Sequence, residues 1–65
     1  MKSYNSRELF KIAKSKGFRL DRVSGSHHIF VNDKTGAVVV IPHPRNNFPS
    51  GTLKKILKDL GVDRL

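Results

Sequence analysis

Residues 18–41 read FRLDRVSGSHHIFVNDKTGAVVVI, and this stretch decides the fold. It holds extended runs separated by glycine-bearing turns. Phe18 to Val23 reads as a first strand, with Phe18, Leu20 and then Arg22 on one face and Arg19 and Asp21 on the other. Ser24-Gly25 is a short hairpin loop of the Ser-Gly kind. A second strand opens at Ser26 or His27 and runs to Asn32. Asp33-Lys34-Thr35-Gly36 is a turn whose glycine supplies the positive φ that such hairpins favour. Ala37 to Ile41 is a β-branched third strand. It is apolar on both faces, which points to a central or well-covered strand, or to a partner surface.

Helical patterns flank this stretch. After a leader from Met1 to Tyr4, Asn5 is placed as an N-cap and Glu8 completes a capping box, with Tyr4 and Leu9 able to staple across it. Leu9, Ile12, Ala13 and Lys16 keep helical spacing, and Phe10 edges the apolar stripe. Gly17 ends this helix, about residues 6–16, as a left-handed residue, so that Phe18 can fold back on Ala13. Arg7, Lys11 and Lys14 take the outer face. Downstream, Pro42-His43-Pro44 stops the third strand and Arg45-Asn46-Asn47 is a polar loop. Pro49 suits the first turn of a second helix, with Ser50 or Thr52 free to cap its amides. Leu53, Ile56, Leu57 and Leu60 form its apolar stripe. Gly61 ends it in the same manner, Val62 packing back on Leu57, and Asp63-Arg64-Leu65 is a short tail.

The order is thus α-β-β-β-α, an α+β domain spanning residues 1–65. Short turns between neighbouring strands give a three-stranded antiparallel sheet. Both amphipathic helices must bury their stripes on one face of it, leaving the other face open. This is the layout of a double-stranded-RNA-binding domain, an architectural likeness only.

Composition narrows the partners. Thirteen Lys and Arg against five Asp and Glu give a net charge of +8, a field that draws polyanions, nucleic acid first among them. The basic residues are spread along the chain, not gathered in one amphipathic helix, so a membrane surface is not the expected partner. Absence of cysteine excludes a disulfide framework and a thiolate zinc site. With no secretory signal and no long apolar run, the chain reads as soluble and cytoplasmic.

Gly25-Ser26-His27-His28-Ile29-Phe30 is the stretch that most resembles a site. Alternation puts His27, Ile29 and Val31 on one strand face and His28 and Phe30 on the other. Phe30 belongs to the core, so His27 stands on the open face. An exposed imidazole on a basic surface can move a proton in phosphodiester cleavage, because RNA brings its own nucleophile, the 2′-hydroxyl. Nearby Lys or Arg can stabilise charge on the phosphoryl oxygens. The plainer reading is an ordinary surface histidine. His28 points towards the helices or the sheet edge, and reads as a structural residue before a second catalytic group. Adjacent strand residues do not converge and no third ligand is at hand, so neither a metal nor another cofactor is expected. His43 is either a secondary phosphate or base contact or a loop residue. Lys54, Lys55 and Lys58 form a row that either meets phosphates or makes a solvated face. Arg22 and Arg45 complete the candidate RNA contacts.

Gly25-Ser26-His27 followed by Phe30, then Val39-Val40-Ile41-Pro42-His43-Pro44, then Pro49 and Gly51-Thr52-Leu53 before a helix ending in Leu60-Gly61, resembles the HicA toxin family. The likeness runs from Ser6-Arg7-Glu8-Leu9 to Val62. It implies a double-stranded-RNA-binding-like fold and an mRNA interferase of a toxin–antitoxin pair that cleaves RNA and stops translation. It also implies a catalytic role for His27, supported by Gly25 and Ser26, and a HicB-type antitoxin that covers the active site. Two function classes follow: an endoribonuclease toxin, or a module that binds RNA or a protein without cutting. The Gly-Ser-His triplet separates them, since plain binding has no need of it.

Overall fold

The computed structural model describes residues 3–62. The expected tail at Asp63-Arg64-Leu65 and the first two residues of the expected leader lie outside the described residues. Within them the chain runs α1 (Ser6–Ser15), β1 (Arg19–Ser24), β2 (His27–Val31), β3 (Val38–Pro42) and α2 (Ser50–Leu60). The strands form an antiparallel sheet in the order β1-β2-β3. Phe30, Val39 and Ile41 share one sheet face and are buried with Leu9 and Ala13 of α1, Leu53, Ile56, Leu57 and Leu60 of α2, and Phe18 and Phe48. Each of these side chains larger than Ala13 contributes about 1.5–3 kcal/mol on leaving water. Both helices therefore cover one face, and the α+β layout is as expected.

Local signals account for the element ends. The Glu8 N–H donates to Asn5 Oδ1 at 2.8 Å, and the Asn5 N–H donates to Glu8 Oε1 at 2.9 Å, which is the capping box. At the other end of α1, Phe18 N–H reaches the Ala13 carbonyl and Gly17 N–H the Lys14 carbonyl, with Gly17 at φ 88°. α2 repeats this ending: Val62 N–H reaches Leu57 and Gly61 N–H reaches Lys58, again with φ 88° at the glycine. Both are Schellman closures.

Several expectations need correction. The first hairpin loop is Gly25-Ser26, because Ser24 pairs with His27. Gly25 has φ 58° while Ser26, like every described non-glycine residue, has negative φ, and that combination is a type II′ turn whose twist suits a two-residue hairpin. β1 is also irregular: Leu20 pairs with Phe30 but Arg22 pairs with Ile29, so Asp21 bulges out. The bulge moves Arg22 off the face it was expected to share with Leu20 and onto the open face. β1 is exposed throughout, Leu20 and Val23 included, because the helices pack beneath β2 and β3. It is held by its ladder to β2 and by a bidentate pair from Arg19 to Asp33, which draws the Asp33 carboxyl below its usual range.

β3 is an edge strand, not a central one. Val39 and Ile41 are buried on the helix side, while Val38 and Val40 remain 55% and 43% exposed on the other. At α2, Pro49 stands just before the helix and neither Ser50 nor Thr52 caps it. Its first turn relies on the backbone, with Leu53 N–H on the Pro49 carbonyl.

Candidate functional site

His27 opens β2 and is exposed, paired with Ser24 on one side and Pro42 on the other. Strand alternation puts it on the face away from the helices, in line with Ile29. The turn that delivers it is fixed at both residues. Gly25 has open space around its missing Cβ, so the requirement there is the left-handed φ alone. The Ser26 carbonyl accepts the His43 N–H at 2.8 Å, which ties the turn to the chain leaving β3.

Depressions meet at His27 from either side. One lies towards β1 and is lined by Arg22, Ser24, Ile29 and Val40. The other lies between β3 and α2, floored by Val38, Val40 and Pro42, with Lys55 and Asp59 on its helical wall. The His27 imidazole thus has a guanidinium on one flank and an ammonium on the other. Both cations already have carboxylate neighbours, Arg22 with Asp21 at 2.9 Å and Lys55 with Asp59 at 3.1 Å. These pairs are solvated, and exposed pairs hold weakly enough to exchange for another anion. Among the described residues, no group of three metal-ligating side chains comes together.

Beneath the sheet the arrangement is different in kind. His28 stacks on Phe10 with ring centroids 5.2 Å apart and meets His43 edge-on at 5.0 Å. Phe10 also touches the rings of Phe30 and His43, at 5.2 and 5.0 Å. His43 Nδ1 lies 2.6 Å from Ser6 Oγ, which also accepts the Arg45 N–H at 3.2 Å. Ser6 N–H in turn donates to the Arg45 carbonyl at 2.9 Å. The imidazoles of His28 and His43 are therefore packed between α1 and the sheet.

Of the sequence candidates, Arg22 and Lys55 share depressions with His27. The other lysines do not line them, because Thr52, Lys55, Ile56 and Asp59 occupy one helix face at i, i+3, i+4 and i+7. At about 100° per residue, Lys54 turns to the opposite flank of the buried stripe and Lys58 to the outer surface. Arg45 lies over the Phe48 ring at 5.2 Å, apart from both depressions. Ser6 and Asn32 were not singled out in advance. Ser6 precedes Leu9 by three and Ala13 by seven, so the helical period already turned it inward, and its polarity hid it. Buried Asn32 accepts the Lys34 and Thr35 N–H groups at Oδ1 and donates from Nδ2 to the Lys16 carbonyl, joining the second turn to the end of α1. An Asn just before an Asp-Lys-Thr-Gly turn is the signal for that role.

The family model described as HicA toxin of bacterial toxin-antitoxin matches residues 6–62. This chain belongs to the HicA toxin family. No match is found among curated proteins. Membership in a HicA toxin family gives the chain a toxin role within a toxin–antitoxin system and implies an antitoxin partner. The match takes in every element of the fold, the Gly25-Ser26-His27 turn included. No helix among the described residues of this HicA-family chain is long and apolar enough to cross a membrane.

Proposed function

We propose that this HicA-family chain is a cytoplasmic, metal-independent endoribonuclease, an mRNA interferase that halts translation by cutting messages. The observation that carries the reading is His27: an exposed imidazole on a tight turn, between depressions that hold Arg22 and Lys55. His27 acts as general acid or base. The 2′-hydroxyl of the RNA attacks its own phosphorus, so the O2′–P bond forms as the P–O5′ bond breaks. One proton leaves O2′ and one joins O5′, His27 handling one transfer and water the other. The products are a 2′,3′-cyclic phosphate and a 5′-hydroxyl.

Gly25 and Ser26 support the site by holding the turn, through the left-handed φ of one and the anchored carbonyl of the other. Arg22 and Lys55 lie nearest the chemistry, and Lys54, Lys58 and Arg45 make phosphate contacts further along the RNA, while His43, packed on Phe10 and bonded to Ser6, holds its loop. A HicB-type antitoxin neutralises the toxin by covering the open face, where exposed Val38 and Val40 offer apolar surface beside His27. One domain carries all of this.

Expression of wild type beside His27→Ala, with growth and total RNA integrity followed together, tests the reading. Wild type is expected to arrest growth as RNA fragments accumulate, and the variant to do neither. Arrest with intact RNA in the wild type would favour a module that binds RNA without cutting.

A further inference from the structure

The groove between β3 and α2 contains three titratable side chains, His27, Lys55 and Asp59. Its floor is apolar, from Val38, Val40 and Pro42, so charge in the groove is concentrated on its rim. Lys55 stands on a helix anchored by Leu53, Ile56, Leu57 and Leu60, all at most 5% exposed. Arg22, the cation on the other flank, stands beside a bulge on a strand that no helix covers. A group that stabilises developing charge works best from a rigid support, since reorganisation then costs little. Of the two supports, the helix under Lys55 is the more deeply anchored in the core.

Resting on the nuclease reading above, we propose that Lys55 is a second catalytic residue: its ammonium leaves Asp59 for the non-bridging oxygens of the scissile phosphate and stabilises the negative charge that builds there. Lys55 moves no proton. The ammonium and the Asp59 carboxylate are 77% and 37% exposed, so the resting pair is weak and yields to a phosphate carrying its own charge. Asp59 restrains the lysine on the groove side of α2 in the free protein and opposes the incoming RNA by like charge. The pair is therefore a placeholder: the carboxylate occupies the position that a phosphate oxygen takes in the complex.

The test is single-turnover cleavage at saturating RNA, beside the affinity for the same RNA carrying 2′-O-methyl groups, which cannot react. Lys55→Ala is expected to cut about 10²-fold more slowly at saturation, the scale for losing one donor to a developing oxyanion. Lys55→Arg is expected to recover most of that rate, and Lys34→Ala, in the remote second turn, to behave as wild type. Asp59→Asn is expected to bind the methylated RNA more tightly than wild type. A Lys55→Ala protein that loses affinity but cuts at the wild-type rate once saturated would overturn the proposal while leaving the His27 nuclease intact. So would weaker RNA binding by Asp59→Asn. Failure of wild type itself to cut would overturn both readings.

Discussion

His27 and His28 are neighbours in the chain and belong to different chemical worlds. His27 faces solvent on the open side of the sheet, flanked by cations whose own partners are weakly held. His28 lies under the same sheet, stacked on Phe10 and edge-on to His43, in a layer closed by Ser6. The side-chain period of a strand is two, so one step along the backbone exchanges a reactive setting for a packed one. The lesson is that imidazole has no role of its own in this molecule. Alternation assigns it, and the large apolar Phe30, two residues beyond His28, sets which histidine turns inward.

The contrast can be broken most severely through the side chain that sets it. Phe30 is 2% exposed at the centre of the buried face, and Phe30→Ala is expected to lower unfolding free energy by about 3–5 kcal/mol in urea titration. A loss under 1 kcal/mol would mean that the helix face does not fix the register. His28→Ala comes next. Removing a half-buried ring that stacks on Phe10 is expected to lower stability by about 1–2 kcal/mol, while cleavage by the folded protein persists. His27→Ala should change stability by no more than about 0.5 kcal/mol, as exposed substitutions do. Reversal of these stabilities would exchange the roles of the histidines.

Smaller again is the effect at the helix ends, which lie outside the contrast and serve as its control. Gly17 and Gly61 both sit at φ 88°, and alanine at either should lower stability by about 1 kcal/mol through the strain of a Cβ there. The Cβ at Gly17 would meet Asn32 Nδ2 only at an ordinary contact distance of 3.4 Å and Gly61 has open space, so the two substitutions are expected to cost about the same. Equal melting temperatures for both variants and wild type would show that left-handed geometry matters at neither end.

What was legible in the chain follows from the range of the forces involved. The capping box at Asn5 and Glu8, the glycine endings of both helices and the opposed directions of His27 and His28 are local, and short stretches encode them. The bulge at Asp21 was not legible, since it depends on how β1 meets β2. It is also what brings Arg22 to the His27 face. The apolar run at Ala37 to Ile41 read as a central or well-covered strand or as a partner surface; strand order is a tertiary property, and β3 is an edge with Val38 and Val40 exposed. The lysine row of α2 was visible, but its division, with Lys55 on the groove and Lys54 and Lys58 turned elsewhere, needed the position of the helix against β3. Ser6 escaped because a serine on an apolar stripe is recognised as a tether only once its partner, His43, is in view.

Purified wild type, His27→Ala and His28→Ala, each given the same RNA in EDTA, provide the most direct comparison. Wild type and His28→Ala are expected to release fragments ending in 2′,3′-cyclic phosphate. His27→Ala is expected to be slower by 10²–10⁴-fold, the usual worth of a general acid or base, while still binding RNA through its lysines and arginines. Cutting by His27→Ala at the wild-type rate would contradict the assignment of the open-face histidine as the catalytic group.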